Sequence, residues 1–199
     1  MKVLIVTITK DTIHPECLES VLNQDYANYT WMIHMQKPAD YGDPLVSANK
    51  NCADNRNRAR TLALASDADY FLFLDSDIAL PKEAISEFLK QPKDIQGGWY
   101  QMPKSKRWVC GSWAADNVFA NYMGVLPSLI RVDMVGVGCM FISRKALSEL
   151  TFEPGTDKQC RGPDGKTMWL GECGAFGNQA SEKGYDLYMN GSIICKHHK

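Results

Sequence analysis

Short apolar runs alternate with helical patterns through the first half of the chain, and this alternation restricts the fold more than any other feature. The runs at 3–8, 31–35 and 70–74 are bounded by polar residues and read as buried strands. Between the first two lies "PECLESVLNQ", a helix with Pro15 in its first turn and Cys17, Leu18, Val21 and Leu22 on one face. Between the second and third lies "NRNRARTLALA", which turns Leu62, Ala63 and Ala65 toward the core. Pro81 opens a further helix in which Ile85, Phe88 and Leu89 share a face. A βαβαβα order predicts an α/β fold with a mostly parallel central sheet flanked by helices. Ligands of such sheets bind outside the carboxyl ends of the strands.

The second half is less regular. "GGWYQMP" and "MVGVGCMFIS" read as strands, and "SRKALSEL" as a short helix capped by Ser143. Residues 154–170 have no periodicity and two Pro/Gly clusters, which predicts a mobile loop. The C-terminal stretch predicts a helix, a turn at Gly184 and two short strands. With 199 residues the chain is long enough for one substantial domain, and a net charge of −1 argues against broad attraction to nucleic acid or membranes. The cysteines are odd in number, seven, with no CxxC spacing, which favours reduced thiols in a cytoplasmic compartment. No apolar run approaches a membrane span.

The run at 70–74 drives into "DSD", Asp75, Ser76 and Asp77. Two carboxylates at a strand end repel each other unless a cation joins them. Hard divalent ions take carboxylate oxygens together with substrate phosphates, so the pair suits a metal-bound diphosphate. A solvated turn or a cap on the next helix is the plain alternative, because DxD is short and common.

The flanking text resembles GT-A fold, nucleotide-sugar-dependent glycosyltransferases, in particular the family-2-like group. "CLESVLNQDYANY", "DADYFLFLDSDIAL", "VGVGCMFISRKAL" and "GECGAFGNQASEKGYDLYMNGSIICKHH" are similar to that family's segments, in family order and over nearly the whole chain. The resemblance implies a single Rossmann-like domain over 1–199. A nucleotide-sugar and metal half would cover about 1–102, and a smaller acceptor half about 103–199. It implies a hexosyltransferase using a UDP or GDP sugar, Mn2+ or Mg2+, and a glycan or other hydroxyl acceptor. On that reading Asp77 ligates the metal, Asp75 holds the ribose or a metal-bound water, and Ser76 lies between them at the donor. His197 completes the metal and diphosphate site, with His198 as its competitor or "KHHK" as a plain tail. Thr7, Ile8 and Thr9 frame the nucleobase. Arg58 or Arg60 faces the donor, unless either is a solvated helix charge.

This chain departs from the family pattern twice. Met35 and Gln36 stand where an acidic pair usually meets the nucleobase or ribose; Gln36 retains the ability to hydrogen-bond a base edge. Glu172 is followed by Cys173 where the family's second acid serves as catalytic base. A thiol near its free pKa is a poor substitute. Glu172 then becomes the expected base; a retaining mechanism, or a nucleotide-sugar- or carbohydrate-binding protein without turnover, are the alternatives. The plain alternative for Glu172 is that it only favours the start of its helix. Lys158, Arg161 and Lys166 in the 154–170 loop would close over the phosphates, or remain uninvolved. Of Trp99, Tyr100, Trp108, Trp113 and Trp169, some belong to the core. Trp113 and Trp169, with loop-like neighbours, are expected at the acceptor. Gly136 and Gly138 match the acceptor-side strand, where glycine also serves close packing. Dehalogenase-type phosphotransferases also end a strand in DxD, but there Gly-Thr follows on the first strand, whereas Ile78 and Ala79 follow here.

Overall fold

The computed structural model describes all residues except 38, 43, 104, 105, 116, 117, 156–158, 162–166, 170 and 199; for 44–47, 49, 114, 115, 159–161 and 167–169 it describes the backbone only. The first half runs β1 (Val3–Thr9), α1 (Pro15–Leu22), β2 (Tyr29–Met35), α2 (Pro44–Leu64), β3 (Tyr70–Asp75), β4 (Ile78–Ala79) and α3 (Ala84–Lys90). The second half begins β5 (Ile95–Trp99), β6 (Cys110–Ala115), β7 (Val118–Asn121), β8 (Leu129–Val132) and β9 (Met134–Val135). It continues with β10 (Cys139–Ser143), α4 (Arg144–Glu149), β11 (Gln159–Arg161), β12 (Thr167–Trp169), α5 (Glu172–Glu182), β13 (Leu187–Ile194) and β14 (Lys196–His197).

The central sheet has seven strands in the order β2-β1-β3-β10-β5-β13-β8. β1 is parallel to β2 and β3, and β5 is parallel to β13; β10 and β8 run against their neighbours. The sheet is therefore mostly parallel, as the alternating pattern requires. A second sheet, β12-β11-β7-β6-β9, lies in the other half. The stretch expected to be a loop thus contains the paired strands β11 and β12, with β11 joined to β7.

Alternation along β1 and β3 divides the core. Leu4, Val6, Phe71 and Phe73 pack with Phe176 of α5 and Leu147 of α4, while Val3, Ile5, Leu72 and Leu74 pack with Cys17, Val21, Ile85 and Phe88 of α1 and α3. Two helix faces are narrower than expected. In α1 only Cys17 and Val21 are buried, leaving Leu18 and Leu22 exposed. In α2 the buried residues include Ala53, Asn55, Arg56, Ala59 and Ala63, while Leu62, and Ala65 just beyond the helix, are exposed. Small residues let the α2 backbone lie close on the sheet, and a leucine at those alanines would hold it off.

Ser143 caps α4 as expected, its hydroxyl accepting from Ala146 N at 3.1 Å. Two arginines tie α2 to α4 end against end. Arg144 donates to the carbonyls of Leu64 at the end of α2 and of Ser66 and Ala68 beyond it, and Arg60 donates to Leu147 and Ser148 at the end of α4. Gly184 turns the chain between α5 and β13 with φ of +80°, a conformation that favours glycine.

Candidate active site

The carboxyl ends of β1, β2 and β3 form one edge of a cleft. In register, Ile8 stands opposite Asp75 and Thr9 opposite Met35; Gln36 N donates to Thr9 O at 2.6 Å. The cleft holds about 300 Å³ and brings together Ile8, Thr9, Gln36, Asp75, Ser76 and Asp77. Lys10, Asp11, Cys52 and Arg56 also line it. Thr7 does not reach it: the side chain is fully buried and accepts from Trp31 Nε1 at 3.0 Å.

Arg56 is the residue that sequence reasoning missed. It comes from α2, where Arg56, Ala59 and Ala63 share the buried stripe at i, i+3 and i+7, and an arginine on such a stripe was the available signal. Its Nη2 meets Asp75 Oδ1 at 2.8 Å, and its Nε lies 3.0 Å from Glu172 Oε1 and 3.2 Å from Oε2. One guanidinium therefore joins the first aspartate of "DSD" to Glu172 of α5. Burial opposes its charge, but Asp75 and Glu172 hold its pKa well above the ordinary value. Its neighbours behave differently. Arg58 is exposed, and Arg60 is engaged with the end of α4; neither lines the cleft.

Glu172 begins α5, and its side chain is only 10 % exposed. Burial raises its pKa; Arg56 opposes that rise, but Asp75 competes for the same guanidinium and repels Glu172. Oε1 and Arg56 Nη1 are both buried without a hydrogen-bond partner among the described residues. Both atoms are thus enclosed beside the cleft, Oε1 in ion-pair contact with Arg56 Nε and Nη1 without an acceptor among the described residues. Cys173 turns away, its Sγ accepting from Val137 N at 3.5 Å. Burial, reinforced by Glu172, pushes its thiol up to about 11, so it stays protonated at neutral pH and cannot serve as a base.

The "DSD" turn is held from the C-terminus. β14 pairs antiparallel with β4, with His197 opposite Ile78, and this sets His197 Nε2 3.4 Å from Asp77 Oδ2. His197 Nδ1 lies 3.0 Å from Gln101 O. A carbonyl only accepts, so Nδ1 carries a proton. Neutral His197 then presents the Nε2 lone pair to a carboxylate, an arrangement that requires a proton or a metal ion between them. Asp77 raises the His197 pKa, against the effect of burial. Asp77 and His197 thus fit a divalent cation. Asp75 has one oxygen on Arg56, and its other lies over Gly138. A Cβ on Gly138 would stand 2.5 Å from Asp75 Oδ2, so glycine is needed for the approach. His198 faces elsewhere, stacked on His14 with ring centroids 3.9 Å apart.

Of the aromatics, Trp99 and Tyr100 are core, with Trp108 packed edge-on to Trp99. Tyr100 Oη accepts from Gly138 N at 3.2 Å and would meet a Cβ on Gly136. Trp113 is partly exposed on β6, against Phe119. The side chains of Trp169 and Arg161, and all of Lys158 and Lys166, lie outside the described residues.

No family model and no curated protein matches the sequence. Solved structures do. A197 from STIV superposes over 100% of this chain and 86% of its own, with a TM-score of 0.65 at 15% identity. S. aureus TarS 1-349 covers 100% of this chain and 60% of its own, with a TM-score of 0.60 at 13% identity. GalNAc-T7, solved with UDP, GalNAc and Mn2+, covers 99% and 44%, with a TM-score of 0.59 at 11% identity. The fold is GT-A. At these identities the likeness is one of fold. The chain spans most of A197 but only part of TarS and GalNAc-T7. Among the described residues no helix is long and apolar enough to cross a membrane. The cleft lies where a GT-A sheet offers its carboxyl strand ends.

Proposed function

We propose that this chain is a metal-dependent glycosyltransferase of the family-2-like group, moving a hexose from a nucleoside-diphosphate sugar to a hydroxyl acceptor. The observation that carries the reading is the Arg56 bridge, which joins Asp75 of the cleft to a buried carboxylate, Glu172. TarS has been solved in complex with UDP-GlcNAc, and GalNAc-T7 with UDP, GalNAc and Mn2+, which supports a nucleotide-sugar donor.

Asp77 and His197 would hold Mn2+ or Mg2+. When bound, such a cation draws charge from the diphosphate as the bond to the anomeric carbon breaks. Ile8, Thr9 and Gln36 line the end of the cleft assigned to the base. Arg56 Nη1, without an acceptor among the described residues, is the group assigned to a donor oxygen. Glu172 accepts the proton of the attacking hydroxyl through Oε1; burial raises its pKa, which strengthens it as a base, and Arg56 opposes that rise. Trp113 and Trp169 are the aromatic faces assigned to the acceptor.

The test is the melting temperature with UDP, GDP, ADP and CDP, with and without Mn2+, for wild type and Asp77→Asn. A nucleotide at a hundred times its Kd adds about 2.7 kcal/mol, a rise of roughly 5–11 °C for a domain of this size. The expected result is a rise with one nucleotide that needs both Mn2+ and Asp77. No rise with any of them withdraws the donor site. Binding without sugar transfer or donor hydrolysis leaves a nucleotide-sugar-binding protein.

A further inference from the structure

A second group of ligating side chains lies by the "DSD" turn and shares no residue with the cleft lining. His14, Glu16 and His198 each offer one ligand atom, and the three atoms lie within 4.8 Å of one another. They come from the start of α1 and from the residue after β14, and both segments are pinned to the turn. His14 N donates to Ser76 O, and His198 N to Asp77 O, each at 2.8 Å.

His198 gives the second, independent indication. Its side chain is only 9 % exposed, and its Nε2 is buried with no hydrogen-bond partner among the described residues. Glu16 Oε2 lies 3.3 Å away, an ion-pair contact when His198 is protonated but not a hydrogen bond. A buried ring nitrogen left unpaired beside a carboxylate is costly unless something fills the gap. The protein already places a cation on Glu16: Lys196 Nζ meets both carboxylate oxygens, at 2.7 and 2.9 Å. That contact shows the spot accepts positive charge, although the N-terminus of α1 opposes it.

We infer that His14, Glu16 and His198 form a second cation site, selective for a borderline transition ion of the Zn2+ type, that clamps α1 and the C-terminal strand to the "DSD" turn. Two imidazoles and one carboxylate, with water completing a tetrahedron, are a ligand set that Zn2+ takes and that Mg2+ and Ca2+ avoid. Asp77 and His197 form a different pair, so the two sites differ in preference as well as position. Metal bonds of ~2.0–2.2 Å draw the ligand atoms closer than they now stand and require His14 and His198, now stacked 13° from parallel, to turn until both ring planes converge on the ion. Glu16 swings off Lys196 to allow it, and His14 exchanges the long 3.3 Å helix-cap bond from Glu16 N to its Nδ1 for a metal bond. The inference does not depend on the glycosyltransferase reading, because it makes no use of donor or acceptor.

The probe is Co2+, a coloured stand-in for Zn2+, titrated into the full chain with Mg2+ in excess. The expected result is one equivalent of Co2+ with visible bands of tetrahedral nitrogen and oxygen ligation, displaced by Zn2+. His198→Ala and Glu16→Gln should each weaken binding tenfold or more. Glu16 is half exposed, so its variant should fold even if another does not. Lys196→Met should tighten binding several-fold, because the competing ammonium is gone. Asp77→Asn should leave the affinity unchanged. The inference is overturned by affinity that survives both His198→Ala and Glu16→Gln, by loss of binding in Asp77→Asn, or by sulfur charge-transfer bands that vanish in Cys52→Ser.

Discussion

Arg56→Met removes one guanidinium and leaves two carboxylates facing each other. Arg56 and Glu172 are each 10 % exposed, whereas Asp75 is 34 % exposed. Stripping one partner from a buried pair costs about 3–5 kcal/mol. The Asp75 arm is screened by water and accounts for about 0–1 kcal/mol of that, so most of the loss falls on Glu172. Methionine keeps part of the packing, which sets the expectation at about 3 kcal/mol near neutral pH. For a domain of this size that is a fall of roughly 6–12 °C in melting temperature. The sign of the pH dependence follows from burial. Glu172 has a folded pKa above its unfolded value, and losing Arg56 raises it further. The Glu172 part of the penalty is therefore full above the variant's folded pKa and fades as the pH falls through it, because Glu172 is then protonated in the folded wild type and variant alike. Urea denaturation of wild type, Arg56→Met, Glu172→Gln and the double variant gives the coupling directly, expected at about 2–3 kcal/mol. A coupling under about 0.5 kcal/mol, or a loss that does not shrink in acid, would refute the bridge as the organiser of this site.

Gly138→Ala places a methyl group 2.5 Å from Asp75 Oδ2 and 2.8 Å from Ile78 Cδ1, so it should abolish nucleotide and Mn2+ binding; calorimetric affinity within threefold of wild type contradicts this. Arg60→Met loses two 2.8 Å bonds to the end of α4 and should cost about 1–2 kcal/mol without changing nucleotide affinity, and any loss of affinity would place it at the donor after all. In the pH–rate profile of kcat/KM, activity should rise with pH on a limb set by Glu172, centred above the ordinary glutamate range because of burial. The same limb measured in Glu172→Gln should be missing; if it persists, another group is the base.

Much of the first half was legible because its signals are local. An apolar run that ends in charge must leave the core there, so Asp75 had to stand at a strand end, and the parallel sheet places ligands at that end. Ser143 before "RKAL" likewise announces a helix cap without help from distant residues. The broader helix faces assigned to Leu18, Leu22 and Leu62 were misread because apolar spacing does not reveal how close the sheet lies; the alanine stripe of α2 and the pair Cys17 and Val21 occupy those contacts.

The site's partnerships were decided in three dimensions. Arg56, Arg58 and Arg60 look equivalent in a string, but a helix turns about 100° per residue, so the seating of α2 on the sheet admits only Arg56 to the cleft. Asp75 and Glu172 are 97 positions apart, and no local pattern says that one guanidinium will serve both. His197 and His198 are adjacent, and a strand sends neighbours to opposite sides. The pairing of β14 with β4 chooses His197 for Asp77 and leaves His198 with His14 and Glu16. Local chemistry named Asp75 and Asp77, and the family resemblance Glu172; only long-range register could assign their partners, because that choice rests on contacts the chain makes after it has folded.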